Sequence, residues 1–231
     1  MLSPFAKLMG FLSLSVILIF QYNSSTLSRP SGSLSGLAQI IDGDTIDIGG
    51  KRIRLYGIDA PEAGQKCKKP NGGSWPCGKE AIKLIAKLAG NRPVHCIGKL
   101  VDDFGRLIAT CAVGELEINR EMVRRGLAWN FDKYSMTYKD LEQISRNLKI
   151  GVFQAPSITP WAYRAKRWEV AVQIAPEGCP IKGNITKKGK VYHAPWSPWY
   201  KRTKITVKNG ERWFCSEAEA LSAGWRAPRW K

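Results

Sequence analysis

Three carboxylates, Asp44, Asp59 and Glu62, and one guanidinium, Arg54, fall within nineteen positions of one another. They sit in two short stretches, IDGDT at 41–45 and RLYGIDAPE at 54–62. Packing a core strand has no use for so many charges. A site that holds a divalent cation through oxygens and attacks a phosphodiester does. A third stretch, VDDFGR at 101–106, adds Arg106 behind a turn-like Asp-Phe-Gly. Each stretch alone has a plainer reading. Asp42 and Asp44 suit a hairpin turn, Arg54 an exposed strand, and Arg106 the flank of a turn whose Asp102 and Asp103 are solvated. Their joint occurrence turns the reading toward chemistry.

Several elements must position these residues. Gln39–Ile41, Thr45–Ile48 and Arg52–Tyr56 are short β-rich runs, with Asp42-Gly43 and Gly49-Gly50 as the turns between them. From Gly78 to Ala89, Ala81, Leu84, Ile85 and Leu88 recur at helical spacing, and Gly90-Asn91 ends the run. Val94–Ile97 and Arg106–Val113 read as two more strands. Helices are expected over 119–125, with Gly126 as the C′ residue, and over about 137–148.

The three charged stretches, in this order, resemble the thermonuclease (staphylococcal nuclease-like) family over about residues 37–155. The resemblance implies an α+β fold: a five-stranded OB-type barrel with helices packed at its end. It implies a calcium ion held by the carboxylates of Asp44 and Asp59 and by the backbone carbonyl of Ala60. The best-studied relatives carry Thr at that last position. It also implies hydrolysis of DNA and RNA to 3′-phosphate products. Within that chemistry Glu62 is the candidate general base. Arg54 and Arg106 are the candidate donors to the charge that builds on the phosphate oxygens. Tyr134 is the one aromatic carried over as a substrate-stacking residue; Trp129 and Phe131 are expected to pack inside. The loop 63–77, with Lys66, Lys68, Lys69 and Trp75, reads equally as a nucleic-acid contact and as a pinned surface loop. His95 is expected to be structural.

The 231 residues carry a formal charge of +17, which points to an anionic partner: nucleic acid, a membrane surface or a polysaccharide. Lys7 followed by the mostly apolar run from Leu8 to Phe20 marks residues 1–23 as a signal peptide or a short membrane anchor. Residues 24–36, rich in Ser, Gly and Pro, read as a flexible linker. The chain is therefore expected outside the cytoplasm: secreted, periplasmic or held at the envelope. No obligate protein partner is implied. Six cysteines in such a chain point to disulfides and leave the connectivity open. Neighbourhood favours Cys67–Cys77 and Cys96–Cys111, which leaves Cys179 and Cys215.

Composition changes near Pro160. Residues 161–231 hold 15 Lys or Arg against 5 Asp or Glu, a net +10, and seven of the nine tryptophans. Residues 156–176 read as a linker, of which 161–176 is a linker or peripheral helix, and 177–231 as a basic Cys/Trp-rich module. That module resembles an accessory unit found behind nuclease domains in bacterial exported proteins. Its relatives often have a cysteine where Ser197 stands. The serine removes a fourth ligand from a zinc site built on Cys179, His193 and Cys215, and so favours a Cys179–Cys215 bridge. Ser216 with Glu219 is a capping-box pair. The module's tryptophans read as a small core or as a polyanion-binding surface. The rival to a nuclease is a non-catalytic nucleic-acid or polysaccharide binding protein of the cell envelope.

Overall fold

The structure is a computed structural model that describes residues 32–187 and 189–229. The segment 1–23, read as signal or anchor, lies outside the described residues. Strand β1 (Gly32–Asp42) turns back into β2 (Thr45–Ile48), which pairs with β3 (Lys51–Leu55). The spacer expected over 24–36 thus gives way at Gly32, because residues 32–37 pair with the strand that begins at Pro93. Two-residue strand β4 (Ile58–Asp59) follows, then β5 (Cys67–Lys68) and β6 (Ser74–Trp75), which pair across the pinned loop. Helix α1 (Cys77–Ala89) buries its Ala81, Ile82, Leu84, Ile85 and Leu88 face, as its spacing requires.

Strands β7 (Pro93–Val101) and β8 (Leu107–Val113) form the other wall. The sheet runs β3-β2-β1-β7-β8 and closes on itself through a parallel β3–β8 pairing, giving a five-stranded mixed barrel of OB type. Ile40, Ile46, Ile53, Leu55, Val94 and Ala109 point into it. Short strand β9 (Leu116–Glu117) leads into α2 (Ile118–Arg124), and Gly126 takes φ +63° just beyond the helix end. Strand β10 (Trp129–Asn130) pairs with β4 and sets Trp129 opposite Asp59. Helix α3 (Lys139–Asn147) packs beside α2.

The segment read as linker or peripheral helix is a helix, α4 (Pro160–Val172), with Thr159 at its N-cap and Pro160 in its first turn. Beyond it, β11 (Ile181–Thr186), β12 (Gly189–His193) and β13 (Arg212–Phe214) form a separate sheet with β11 in the centre. Helix α5 (Glu217–Ser222) is capped by the Ser216 hydroxyl, which accepts from the Glu219 N–H; the Glu219 carboxylate accepts in turn from the Cys215 N–H. Ile181, Tyr192, Phe214 and Trp225 make a second core, against which Trp168 of α4 packs. Some of the tryptophans therefore build a core. Arg52 of the barrel donates to the Tyr192 hydroxyl, and Arg229 pairs with Asp47, so the C-terminal sheet is tied to the barrel.

The cysteines pair as Cys67–Cys77, Cys96–Cys111 and Cys179–Cys215. With Cys179 and Cys215 joined, His193 lacks the thiolates that a zinc site would need. His193 is buried beside Trp199 and Ser197, and burial pushes it down to about 4. His95, read as structural, stands exposed on β7.

Candidate active site

The β1–β2 hairpin delivers the first acid. Asp42 pairs with Thr45, leaving Gly43 and Asp44 as the turn. A Cβ on Gly43 would meet the Cβ atoms of Ala60 and Ala81 at 2.8 and 2.9 Å, so glycine lets this hairpin sit against the β4 end and α1. Asp44 is 4% exposed. Its Oδ2 accepts from the Ala60 N–H at 2.9 Å, and its Oδ1 accepts from the Thr45 hydroxyl and from Arg54. Arg54 lies opposite Thr45 on β3, which points its fork at the same turn. Its second terminal nitrogen donates to Asp59 Oδ1 at 2.7 Å.

Asp59 is fully buried. Glu62 follows on a loop fixed by Gln65, whose side chain accepts from the Glu62 N–H and donates to the Ile158 carbonyl. The first turn of α1 rests on this loop. A Cβ on Gly78 would fall 1.7 Å from the Glu62 carbonyl oxygen, so only glycine allows the approach.

A residue outside every sequence motif completes the cluster. Arg164, on α4, donates to Asp59 Oδ1 at 3.1 Å, to Asp59 Oδ2 at 2.8 Å and to Glu62 Oε1 at 2.6 Å. The electrostatics follow from burial and these partners. Burial alone would raise Asp59, but the charges of Arg54 and Arg164 outweigh it and hold the carboxyl below its usual range. Burial pushes Glu62 up to about 7; Arg164 opposes the shift, while Asp44 and Asp59 add to it. Burial, with Glu62 and Asp44 close by, also holds Asp42 well above the usual carboxylate range.

The expected residues are thus brought together in part. Asp44, Arg54, Asp59, Ala60 and Glu62 share one buried cluster. Arg106 pairs instead with Asp102 through Nε at 2.8 Å and lies over the Phe104 ring. Asp102, read as a solvated turn residue, is its acceptor. Tyr134 is 63% exposed and stands edge-on to Phe131, which in turn stacks on Trp161 of α4. Trp129 is buried, as expected, whereas Phe131 is only half-buried. Lys66, Lys68 and Lys69 are exposed on their loop.

The donor chemistry fits a hard cation, since Asp44, Asp59 and Glu62 offer carboxylate oxygens. In this arrangement both oxygens of Asp44 and of Asp59 already accept hydrogen bonds, mostly from guanidinium nitrogens. The Ala60 N–H donates to Asp44. Among the described residues no group of three or more acidic, histidine or cysteine side chains is arranged to hold a metal.

Comparison with known proteins fits this geometry. Residues 52–151 match the family of staphylococcal nuclease homologues, and residues 170–227 match a family named ArfC. The chain is 37% identical to the succinoglycan biosynthesis protein ExoI of Rhizobium meliloti, over 52% of this chain and 64% of that protein. It is 30% identical to the micrococcal nuclease of Shigella flexneri, over 55% of this chain and 78% of the relative. It is also 30% identical to the thermonuclease of Staphylococcus intermedius, over 60% of this chain and 90% of the relative. With the closed barrel, the clustered acids and likeness across nine-tenths of a thermonuclease, the chain belongs to the family of staphylococcal nuclease homologues.

Proposed function

We propose that the protein is an exported, calcium-dependent endonuclease that hydrolyses DNA and RNA phosphodiesters and leaves 3′-phosphate ends. The observation that carries the reading is the convergence of Asp44, Asp59 and Glu62 with the Arg54 fork at one barrel rim. Relatives named as nucleases support it. So does the net +17, because a polyanionic substrate is drawn to a basic enzyme. Three disulfides suit an oxidising compartment outside the cytoplasm. Among the described residues no helix is long and apolar enough to cross a membrane.

In this reading Asp44 and Asp59, with the Ala60 carbonyl, would hold the calcium. When bound, the ion supplies positive charge to a phosphate oxygen and polarises a water. Glu62 takes a proton from the attacking water, whose oxygen bonds to phosphorus as the bond to the 5′-oxygen breaks, and the departing 5′-oxygen takes a proton from solvent water to leave as a hydroxyl. Burial raises this carboxyl above its usual range in the metal-free cluster, the direction that makes a carboxylate a better proton acceptor. Arg54 turns part of its fork to the phosphate oxygens, and Arg106 leaves Asp102 to do the same. Tyr134, with the exposed edge of the Phe131–Trp161 stack, offers a sequence-tolerant surface for a base.

Two observations favour the second reading, a non-catalytic envelope protein that binds nucleic acid or polysaccharide. Arg54 and Arg164 both spend their charge on carboxylates, and one relative is named for succinoglycan biosynthesis. Digestion of plasmid DNA and of RNA, with calcium and with chelator, decides between the two. Cleavage with calcium and none with chelator is expected. No cleavage under any divalent cation selects the binding protein, and full activity in excess chelator removes calcium from the scheme.

A further inference from the structure

Arg164 belongs to neither matched segment, since these cover 52–151 and 170–227. Yet it makes three of the contacts that hold the acidic cluster together. Its side chain is 23% exposed, and its partners are almost entirely buried. Four carboxyl groups, those of Asp42, Asp44, Asp59 and Glu62, face this rim. Arg54 contacts Asp44 and Asp59, and its side-chain hydrogen bonds do not reach Glu62. Arg164 supplies a second cation and engages both oxygens of Asp59, the acid that a divalent ion would also need. A metal ion at Asp59 would sit against the Arg164 charge in a poorly solvated space, where repulsion is strong.

The helix that carries Arg164 is braced from two sides. Trp161 stacks on Phe131 with ring centroids 5.6 Å apart, and Gln65 holds the Ile158 carbonyl just before the helix. On the other side Arg167 donates to the Pro195 carbonyl at 3.1 Å, and Trp168 lies beside Trp196 and the C-terminal core. Trp161, Arg164 and Trp168 recur at i, i+3 and i+7, so one helical face presents the cation between its two braces.

We propose that Arg164 is a tethered counter-cation of the carboxylate cluster, which a divalent ion must displace, so that metal affinity is coupled to the docking of α4. The proposal rests on the calcium reading above. Coupling of this kind is reciprocal: whatever loosens α4 tightens metal binding, and bound metal loosens α4. The C-terminal sheet, which braces α4, thereby acts on the site without entering it.

The test is calcium titration of the full chain by calorimetry, with the thermal midpoint followed in parallel. Arg164→Gln is expected to bind calcium about tenfold more tightly than the parent, within the usual range of coupling between sites. Its midpoint is expected to rise more on adding calcium. Trp161→Ala loosens α4 without touching a carboxylate, so it is expected to shift affinity in the same direction by a smaller factor. It carries the test if Arg164→Gln does not fold. Folded variants that bind calcium as the parent does, or more weakly, overturn the proposal and leave the calcium reading standing. Absence of calcium binding in the parent and the variants alike overturns both.

Discussion

Arg164 and Asp59, 105 positions apart in the chain, meet in a two-point pair, with guanidinium nitrogens 2.8 and 3.1 Å from the two carboxylate oxygens. Arg54 reaches the same aspartate from within the barrel. A buried carboxylate with two guanidinium partners resists loss of either one, because the remaining charges stay desolvated. Substitutions in this cluster therefore act on stability as well as on chemistry, and each needs a fold measurement beside its kinetics.

With that control, the catalytic assignments separate. Arg54→Ala and Glu62→Gln are expected to lower turnover by about 10²- to 10³-fold on a short oligonucleotide. Glu62→Gln is expected to spare substrate binding, since an amide keeps the shape and loses the base. Arg106→Ala is expected to cost turnover as well, even though its resting partner is Asp102. Asp102→Asn, which loosens that hold, is expected to leave turnover at or above the parent's. Parent-like rates in all of Arg54→Ala, Glu62→Gln and Arg106→Ala would remove these residues from the chemistry.

The shift at Glu62 has a signed consequence for the metal-free protein. Its folded pKa, about 7, lies above the ordinary 4.5, so the native state binds this proton more tightly than the unfolded chain. The stability it contributes is complete below about pH 4.5 and is lost as pH rises through 7. Asp42, also raised, adds in the same direction. Asp59 is lowered, so its contribution is present above about 3.8 and falls away only in more acid solution. Urea melts in chelator are expected to show stability falling between pH 4.5 and 8, with a shallower fall in Glu62→Gln. An unchanged slope in that variant would mean that Glu62 titrates normally.

What the sequence made legible was whatever repeats locally. The alternation in β8, the apolar stripe of α1 and the hairpin turns each follow from spacing over a few residues. Asp44, Arg54, Asp59 and Glu62 were legible because they crowd into nineteen positions. Arg164 was not, because nothing around it repeats a charged pattern and its partners lie in another part of the fold. The available signal was Thr159-Pro160, a helix start, with Trp161, Arg164 and Trp168 on one face. Reading 161–176 as a linker or peripheral helix gave it no part in the site. The resting position of Arg106 was equally out of reach, because a guanidinium four residues past an aspartate and one facing a phosphate have the same sequence.

The basic C-terminal region makes the last prediction. Lys187, Lys201, Lys204 and Lys208 are all exposed and lie far from the acidic cluster in the chain. If they meet phosphates of a long strand, each contact releases counterions, and the slope of log K against log salt steepens by about 0.9 per contact. Replacing all four by Gln is expected to leave cleavage of a short oligonucleotide unchanged. On long nucleic acid the same variant is expected to show a higher KM and a salt slope shallower by up to about 3 to 4. The measurement is KM against salt on both substrates. A slope equal to the parent's would mean that these four lysines do not touch the strand. A loss of turnover on the short substrate, with the fold intact, would instead place these lysines within reach of the reacting phosphate.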